Sequence, residues 1–262
     1  MGEGTITVAG LVLSLSLVAV AIGISLREHL RLERDMVVAV VRALVQLLIV
    51  GAALELIVKP STPLIWSWLW VAGIVVFSAV TVRRRAPQLP GVFGIALTAN
   101  ATTAIVGLGL TFGLGIFAVN GRTVVPVAGM VVGNSLKSCV VVVQMLASLI
   151  ADRRPDIEAR LALGLRGTDA ARPIVRQALR LAINPQIENT KALGIVFLPG
   201  AMTGLILAGV KPVDAVLVQL ALMYIILGAV VVTTAMTALV GTKRLFTSDE
   251  RLVTLVRSRE DE

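Results

Sequence analysis

The sequence is short of the residues that most chemistry requires. Its 262 residues include one cysteine, one histidine and one tyrosine, and only 16 are Asp or Glu. A single cysteine, Cys139, excludes an intrachain disulfide. Its place inside an apolar run marks it as a small buried packing residue. The lone His29 sits among charges in a short loop, with no companion of metal-ligand spacing, and is read as a solvated loop residue. There is no HExxH, no serine–histidine arrangement and no pair of mid-span aspartates, which argues against an intramembrane enzyme. No GxxxxGK[ST] stretch occurs, so the chain does not bind ATP in the P-loop manner. Charged residues make up 15% of the chain, against about a quarter in a soluble domain.

What is present is apolar and blocked into runs. Hydrophobic residues reach 56% and the mean hydropathy is +0.91. The runs are about 20 residues long, which is what a helix needs to span a bilayer. Seven spans are expected: Thr5 to Ser25, Met36 to Val58, Thr62 to Val82, Gly91 to Val119, Val124 to Ile150, Leu193 to Gly209 and Val213 to Val240. The sixth is short and interrupted by Pro199-Gly200, so a kinked or re-entrant helix is allowed there. The expected fold is all-α, a polytopic helix bundle forming one membrane domain over residues 1–262. The opening residues Met1 to Gly4 lack the basic start of a secretory signal, so the first apolar run is expected to be retained.

Charge then orients the bundle. With the N-terminus outside, 19 Lys and Arg fall on inner segments and three (Lys59, Arg122, Lys211) on outer ones. The positive-inside rule therefore predicts N-out and C-in. Trp66, Trp68 and Trp70 cluster at the outer end of the third span, where an interfacial belt belongs. Basic residues spread over inner loops serve topology and anionic lipid, so no nucleic-acid partner is expected despite the net charge of +8. The pairs Gly109/Gly113, Gly129/Gly133 and Gly200/Gly204 are GxxxG spacings of the kind that bring helices close.

One sizeable polar stretch, residues 151–190, lies on the inner side. Asp152 to Asp156, with Pro155 just inside, starts a short helix, and Gly164 and Gly167 permit a turn. Thr168-Asp169 caps a second helix, expected to end near Ile183 where Asn184-Pro185 interrupts it. Arg172, Arg176 and Arg180 recur at i+4 as a basic stripe. Two readings stand side by side: an amphipathic loop on anionic lipid, or a docking element for a cytoplasmic partner. Residues 243–262 form an inner tail, with a short helix expected between Ser248 and Glu262.

Within this loop Glu158-Ala159-Arg160, three residues, Gly164, nine residues and Ile174 resemble the E-A-A…G…I docking signature of ATP-binding-cassette (ABC) permeases. A longer stretch is more specific. Gly194 to Gly204, reading GIVFLPGAMTG, with Ala208 to Pro212, resembles the FetB-type permease family, to which iron export is ascribed in bacteria. Val41 to Leu47 and Pro126 to Asn134 are similar to that family's second and fifth helices. The likeness runs in order over almost the whole chain. Its plant relatives are implicated in aluminium tolerance.

The resemblance implies a non-enzymatic transport subunit in a bacterial inner membrane, exporting iron, a related metal or a metal complex. It implies a separate ABC ATPase carrying the ATP and magnesium, with no cofactor on this chain, and a second copy of the permease. It assigns ATPase coupling to Glu158, Arg160, Gly164, Gly167, Thr168 and Arg172. Three departures bear on the substrate: Ala201 replaces a methionine beside Met202, Val218 replaces a tyrosine before Gln219, and Lys137 follows the Gly-Asn motif.

Polar residues inside spans are costly and therefore candidates for the substrate pathway. Arg42 and Gln46 share a face of the second span. Met130, Asn134, Lys137 and Ser138 share one of the fifth, and Met202 and Gln219 complete the set. Arg42 has snorkelling to the inner interface as its alternative. Asn100 and Thr103 read more naturally as interhelical contacts. Glu55 is the only acidic residue well inside an expected span, so no carboxylate cluster for a bare metal ion is visible, and no metal ligands are assigned. An anionic or chelated cargo is expected, or one held mainly by backbone carbonyls and methionine. The alternative function is an ATP-independent carrier or channel for an anionic solute.

Overall fold

The computed structural model describes residues 8–57, 62–194 and 198–253. Among these residues the regular elements are ten helices. Residues 1–62 and 63–262 form two compact units.

The first unit is a helical hairpin, α1 (Val8–Arg27) and α2 (Glu33–Ile57). The turn is built by residues outside the common backbone regions, His29 and Arg31, at φ 53° and 58°. Ser25 ties the turn together. Its hydroxyl donates to Glu33 Oε1 at 2.8 Å and accepts from the Leu32 amide at 3.2 Å. His29 is exposed in this turn, as its loop assignment requires.

The second unit contains α3 (Ile65–Arg85), α4 (Val92–Gly113), α5 (Gly121–Asp152), α6 (Arg154–Ala162), α7 (Gly167–Ala170), α8 (Arg172–Lys191), α9 (Gly200–Leu207) and α10 (Pro212–Lys243). Helices α3, α4, α5 and α10 pack together, and α8 lies along α5 and α10. The buried faces follow helical spacing. On α4 they include Ile95, Ala99, Thr103 and Gly107, and on α10 Ala215, Gln219, Leu222, Ile226, Val230, Thr233 and Thr237. Hydroxyls close the seams. Thr103 and Thr233 bond between α4 and α10, and Cys139 and Thr237 between α5 and α10 at 3.3 Å. Cys139 is fully buried, as its apolar setting requires. Helix α5 starts at a capping box, with the Thr123 amide donating to Asn120 Oδ1 at 3.1 Å.

Among the described residues five helices are long and apolar enough to cross a membrane, namely α2, α3, α4, α5 and α10, and α1 adds a shorter apolar stretch, Leu13–Arg27. The expected span from Leu193 to Gly209 is not a continuous helix. Helix α9 has 8 residues, and residues 195–197 of the expected span lie outside the described set. At 1.5 Å per residue α9 reaches only about 12 Å, well short of a hydrocarbon core about 30 Å thick.

The glycine pairs also differ from expectation. A Cβ on Gly109, Gly113, Gly129, Gly133, Gly200 or Gly204 would meet nothing within 4 Å, so these pairs do not bring helices of this unit together. The close approach is at Gly107 instead, where a Cβ would stand 3.0 Å from Val131 Cγ1 of α5.

Candidate functional site

The polar stretch is rooted in the bundle rather than laid beside it. Ile157, Ala170, Ala171, Ile174, Val175, Ala178 and Ala182 are buried in one cluster with Val142, Val143, Leu146 and Ile150 of α5 and Ala238 of α10. On the apolar face of α8 Ala182 is buried, whereas the neighbouring Leu181 is 43% exposed. Pro155 and Pro173 each sit in the first turn of their helices, where the missing N–H costs nothing. Gly164 ends α6 at φ 86°, a left-handed conformation that favours glycine. Glu158 pairs with Arg154 at 2.7 Å on the exposed face of α6, and Arg160, Thr168 and Arg172 have their own settings around the turn. Arg160, Arg153 and Asp156 line a small notch that Pro173 and Ile174 close.

Gly167 is held more tightly than its neighbours. Its amide donates to Glu250 Oε2 at 2.6 Å, and an added Cβ would overlap the Phe246 ring. The tail therefore folds back onto the turn between α6 and α7. Residues 245–253 form a reversed segment with Val253 N donating to Leu245 O at 2.8 Å, and Leu245 is fully buried. The helix expected from Ser248 onward does not occur in the described residues. A turn with Glu250 at φ 57° stands there, and residues 254–262 lie outside the described set.

Helix α8 does not stop at Asn184-Pro185. It continues through Pro185 to Lys191. The burial of Ala178, Ala182 and Gln186 on one face outweighs the hydrogen bond that Pro185 removes. This changes where its polar face lies. Pro173 and Ile174 stand beside Arg153, at the end of α5. At the other end Leu193 packs against a cluster whose members on α5 are Val124, Val127, Ala128 and Val131.

A depth scale comes from Gln144, whose side chain donates to the carbonyl of Arg85 at 3.1 Å. Residue 144 of α5 is thus level with the Arg83-Arg84-Arg85 end of α3, the arginine-bearing end of the bundle. Counting along antiparallel α8 from Arg153 puts Ala182 at that level. Glu188 then lies about 9 Å further into the bundle and Lys191 about 14 Å. On the same scale Lys137 of α5 lies about 10 Å in.

The expected pathway residues are distributed over three settings. Met130, Asn134 and Lys137 lie along the outward face of α5. Lys137 is exposed and forms no hydrogen bond or ion pair within the described residues, while Asn134 donates to the Met130 carbonyl at 2.8 Å. Ser138 is buried and does not join that face. Gln219 is 6% exposed between helices, with its Oε1 unpartnered. Met202 is half-buried on α9, and Arg42 and Gln46 are exposed on α2 in the first unit. Sequence reasoning missed Asn184, Glu188 and Lys191. They continue the Arg172–Arg176–Arg180 stripe at i+4 and i+3 on the exposed face of α8. That periodicity was the available signal, and the Asn-Pro pair concealed it. A groove of about 570 Å³ between α3 and α4, lined by Trp68, Val75, Leu108 and Phe112 among others, is apolar.

The profile of the uncharacterised protein family UPF0014 matches residues 8–246. The chain belongs to that family. Among UPF0014 relatives it is 33% identical to the UPF0014 membrane protein YjkA of Bacillus subtilis, over 92% of this chain and 96% of that one. It is 30% identical to the probable iron export permease protein FetB of Escherichia coli, over 97% of each. It is 29% identical to the protein ALUMINUM SENSITIVE 3 of Arabidopsis thaliana, over 94% of this chain and 90% of that one. No solved structure matches the chain. This UPF0014 member is thus a multi-pass membrane protein, for which a bacterial inner membrane fits, in a family with a named permease among its members.

Proposed function

We propose that the chain is the permease subunit of an ABC transporter that exports a metal or metal complex, driven by a separate ATPase. The observation that carries this reading is the rooting of α6–α8 in the bundle. A loop lying on lipid would turn its apolar face to the membrane, whereas here Ile157, Ile174 and Ala178 are buried against α5 and α10. The face left over, with Glu158 and Arg172, is polar and exposed, as a docking surface for a soluble partner requires. FetB, named as an export permease, supplies the direction and cargo of the proposal. A second copy of the chain would cover the outward face of α5, because Asn134 and Lys137 are too polar to face acyl chains.

The test is a pull-down from native membranes followed by ATPase assay of the eluate. An ATPase is expected to co-elute, and Glu158→Ala with Gly164→Val is expected to reduce its recovery at least tenfold. Transport by the purified chain alone, with no ATPase bound, would overturn the proposal. Lys137→Met gives a second readout. Cargo export is expected to fall several-fold while ATPase recovery stays unchanged, since Lys137 lies far from the docking face. Unaltered export would remove Lys137 from the pathway. An ion-coupled carrier is the second reading, and the depth of Glu188 favours it. A pH gradient driving transport without ATP would select it.

A further inference from the structure

Helix α8 carries one unbroken polar stripe from the docking turn into the depth of the bundle. Arg172, Arg176, Arg180, Asn184, Glu188 and Lys191 recur every three or four residues, and all six are exposed on the surface of the chain. The apolar side of the same helix holds α8 in place, through Ala178 and Ala182 packed among residues of α5 and α10. The stripe is therefore fixed in its outward direction.

Its upper part cannot face lipid. Glu188 and Lys191 form an ion pair at 2.9 Å, with side chains 68% and 66% exposed. They stand about 9 and 14 Å beyond the level of Arg85. A carboxylate and an ammonium at that depth require water or protein around them. Lysine reaches an interface by extending its stem, but glutamate has two methylenes fewer and the pairing ties Lys191 to it. Lys137 of α5 lies at a similar depth on another exposed face.

Resting on the permease reading above, we infer that the exposed face of α8 from Arg180 to Lys191 lines the transport pathway and that Glu188 is its cargo carboxylate. The cargo class is a metal cation travelling with an oxyanion ligand. The Glu188 carboxylate and the Asn184 amide oxygen are hard oxygen donors, suited to such an ion. Without cargo, Lys191 neutralises the carboxylate, and a multivalent cation replaces the ammonium there. The three arginines at the mouth repel a bare cation and attract its anionic ligand. No group of three or more His, Cys, Asp or Glu that could cage a metal exists among the described residues, which suits a site that must release its ion.

Two experiments decide it. Single cysteines replacing Asn184 or Glu188, in a Cys139→Ser background, are exposed in membrane vesicles to a charged, membrane-impermeant maleimide. The reference is a cysteine replacing Val76, which is 48% exposed on α3 and about 14 Å from Arg85. Labelling at 184 and 188 is expected to be at least tenfold faster than at 76. Equally slow labelling overturns the pathway assignment. This readout uses the chain without any ATPase, so it stands or falls separately from the ABC reading. The second experiment measures export of iron(II) with citrate by the full complex. Glu188→Gln is expected to lower it tenfold or more, while Glu188→Asp retains most of it. Unchanged export with Glu188→Gln overturns the ligand role, and faster export of iron(II) without citrate overturns the cargo class.

Discussion

Replacing Gly167 by valine is expected to leave an ATPase bound while cutting transport tenfold or more. The position has no room. A single Cβ there overlaps the Phe246 ring and comes within 2.8 Å of Glu250 Oε2. The two larger groups must leave, and with them the hydrogen bond from the Gly167 amide. Overpacking of this kind costs about 1–3 kcal/mol, and the tail is the part free to give way. Its release would matter because Arg244, Leu245 and Phe246 touch three different parts in succession. Arg244 covers Gly91 in the loop before α4, Leu245 is buried in the core, and Phe246 covers Gly167. The turn between α6 and α7 is thereby fastened to α10 and to the loop between α3 and α4. ATPase recovery and transport per ATP, measured on the same preparation, separate docking from transmission. Glu250→Ala, which removes the acceptor without adding bulk, is expected to show a weaker form of the same defect. Full transport by the valine variant would reduce the fastening to a local packing detail.

Gly107→Leu is expected to give the largest loss of stability among single changes in the spans. The Cβ alone would stand 3.0 Å from Val131 Cγ1 and 3.9 Å from Ile225 Cγ2. Three further carbons have no volume to enter, because Gly107 is itself buried and Val131, its nearest neighbour, is fully buried. The expected cost is about 3 kcal/mol or more, at the upper end for overpacked cores. Gly109→Leu is the control. It lies two residues away on a face with nothing within 4 Å, and a change within about 0.5 kcal/mol is expected. Thermal unfolding of both variants in detergent, followed by size-exclusion recovery, measures the difference. Equal melting of the two would contradict the packing described for α4, α5 and α10.

The contrast between those two glycines shows why spacing alone misleads. A Cβ on Gly109 or Gly113, a GxxxG pair, would meet nothing within 4 Å, while Gly107 belongs to no such pair and is the α4 glycine that stands tight against α5. Small residues permit contact on any face. Which face is used depends on the partners that α5 and α10 present.

Much of the architecture was legible from composition and run length. Apolar stretches of about 20 residues have few alternatives in a bilayer, because every backbone amide must be satisfied within the helix. The five long spans, the buried cysteine, the exposed histidine turn and the short helix before Gly164 followed from such local rules, whereas Thr168 and Asp169 lie in a helix of their own rather than capping α8. Family membership was legible too, since the GIVFLPGAMTG stretch and its companions are contiguous in sequence.

The tertiary structure alone decided how far α8 extends and where it stands. Pro185 is a local signal to stop, and it was overridden by the burial of Ala182 and Gln186 on one face. A polar segment also carries no hydropathy mark of membrane depth. Glu188 and Lys191 read as part of a soluble loop until Leu193 is found packed in the cluster that contains Val124 and Val131. The tail was equally hidden, because Glu250 and Gly167 are 83 residues apart. Local chemistry determined which helices form. Long-range packing determined which polar groups they carry into the bundle.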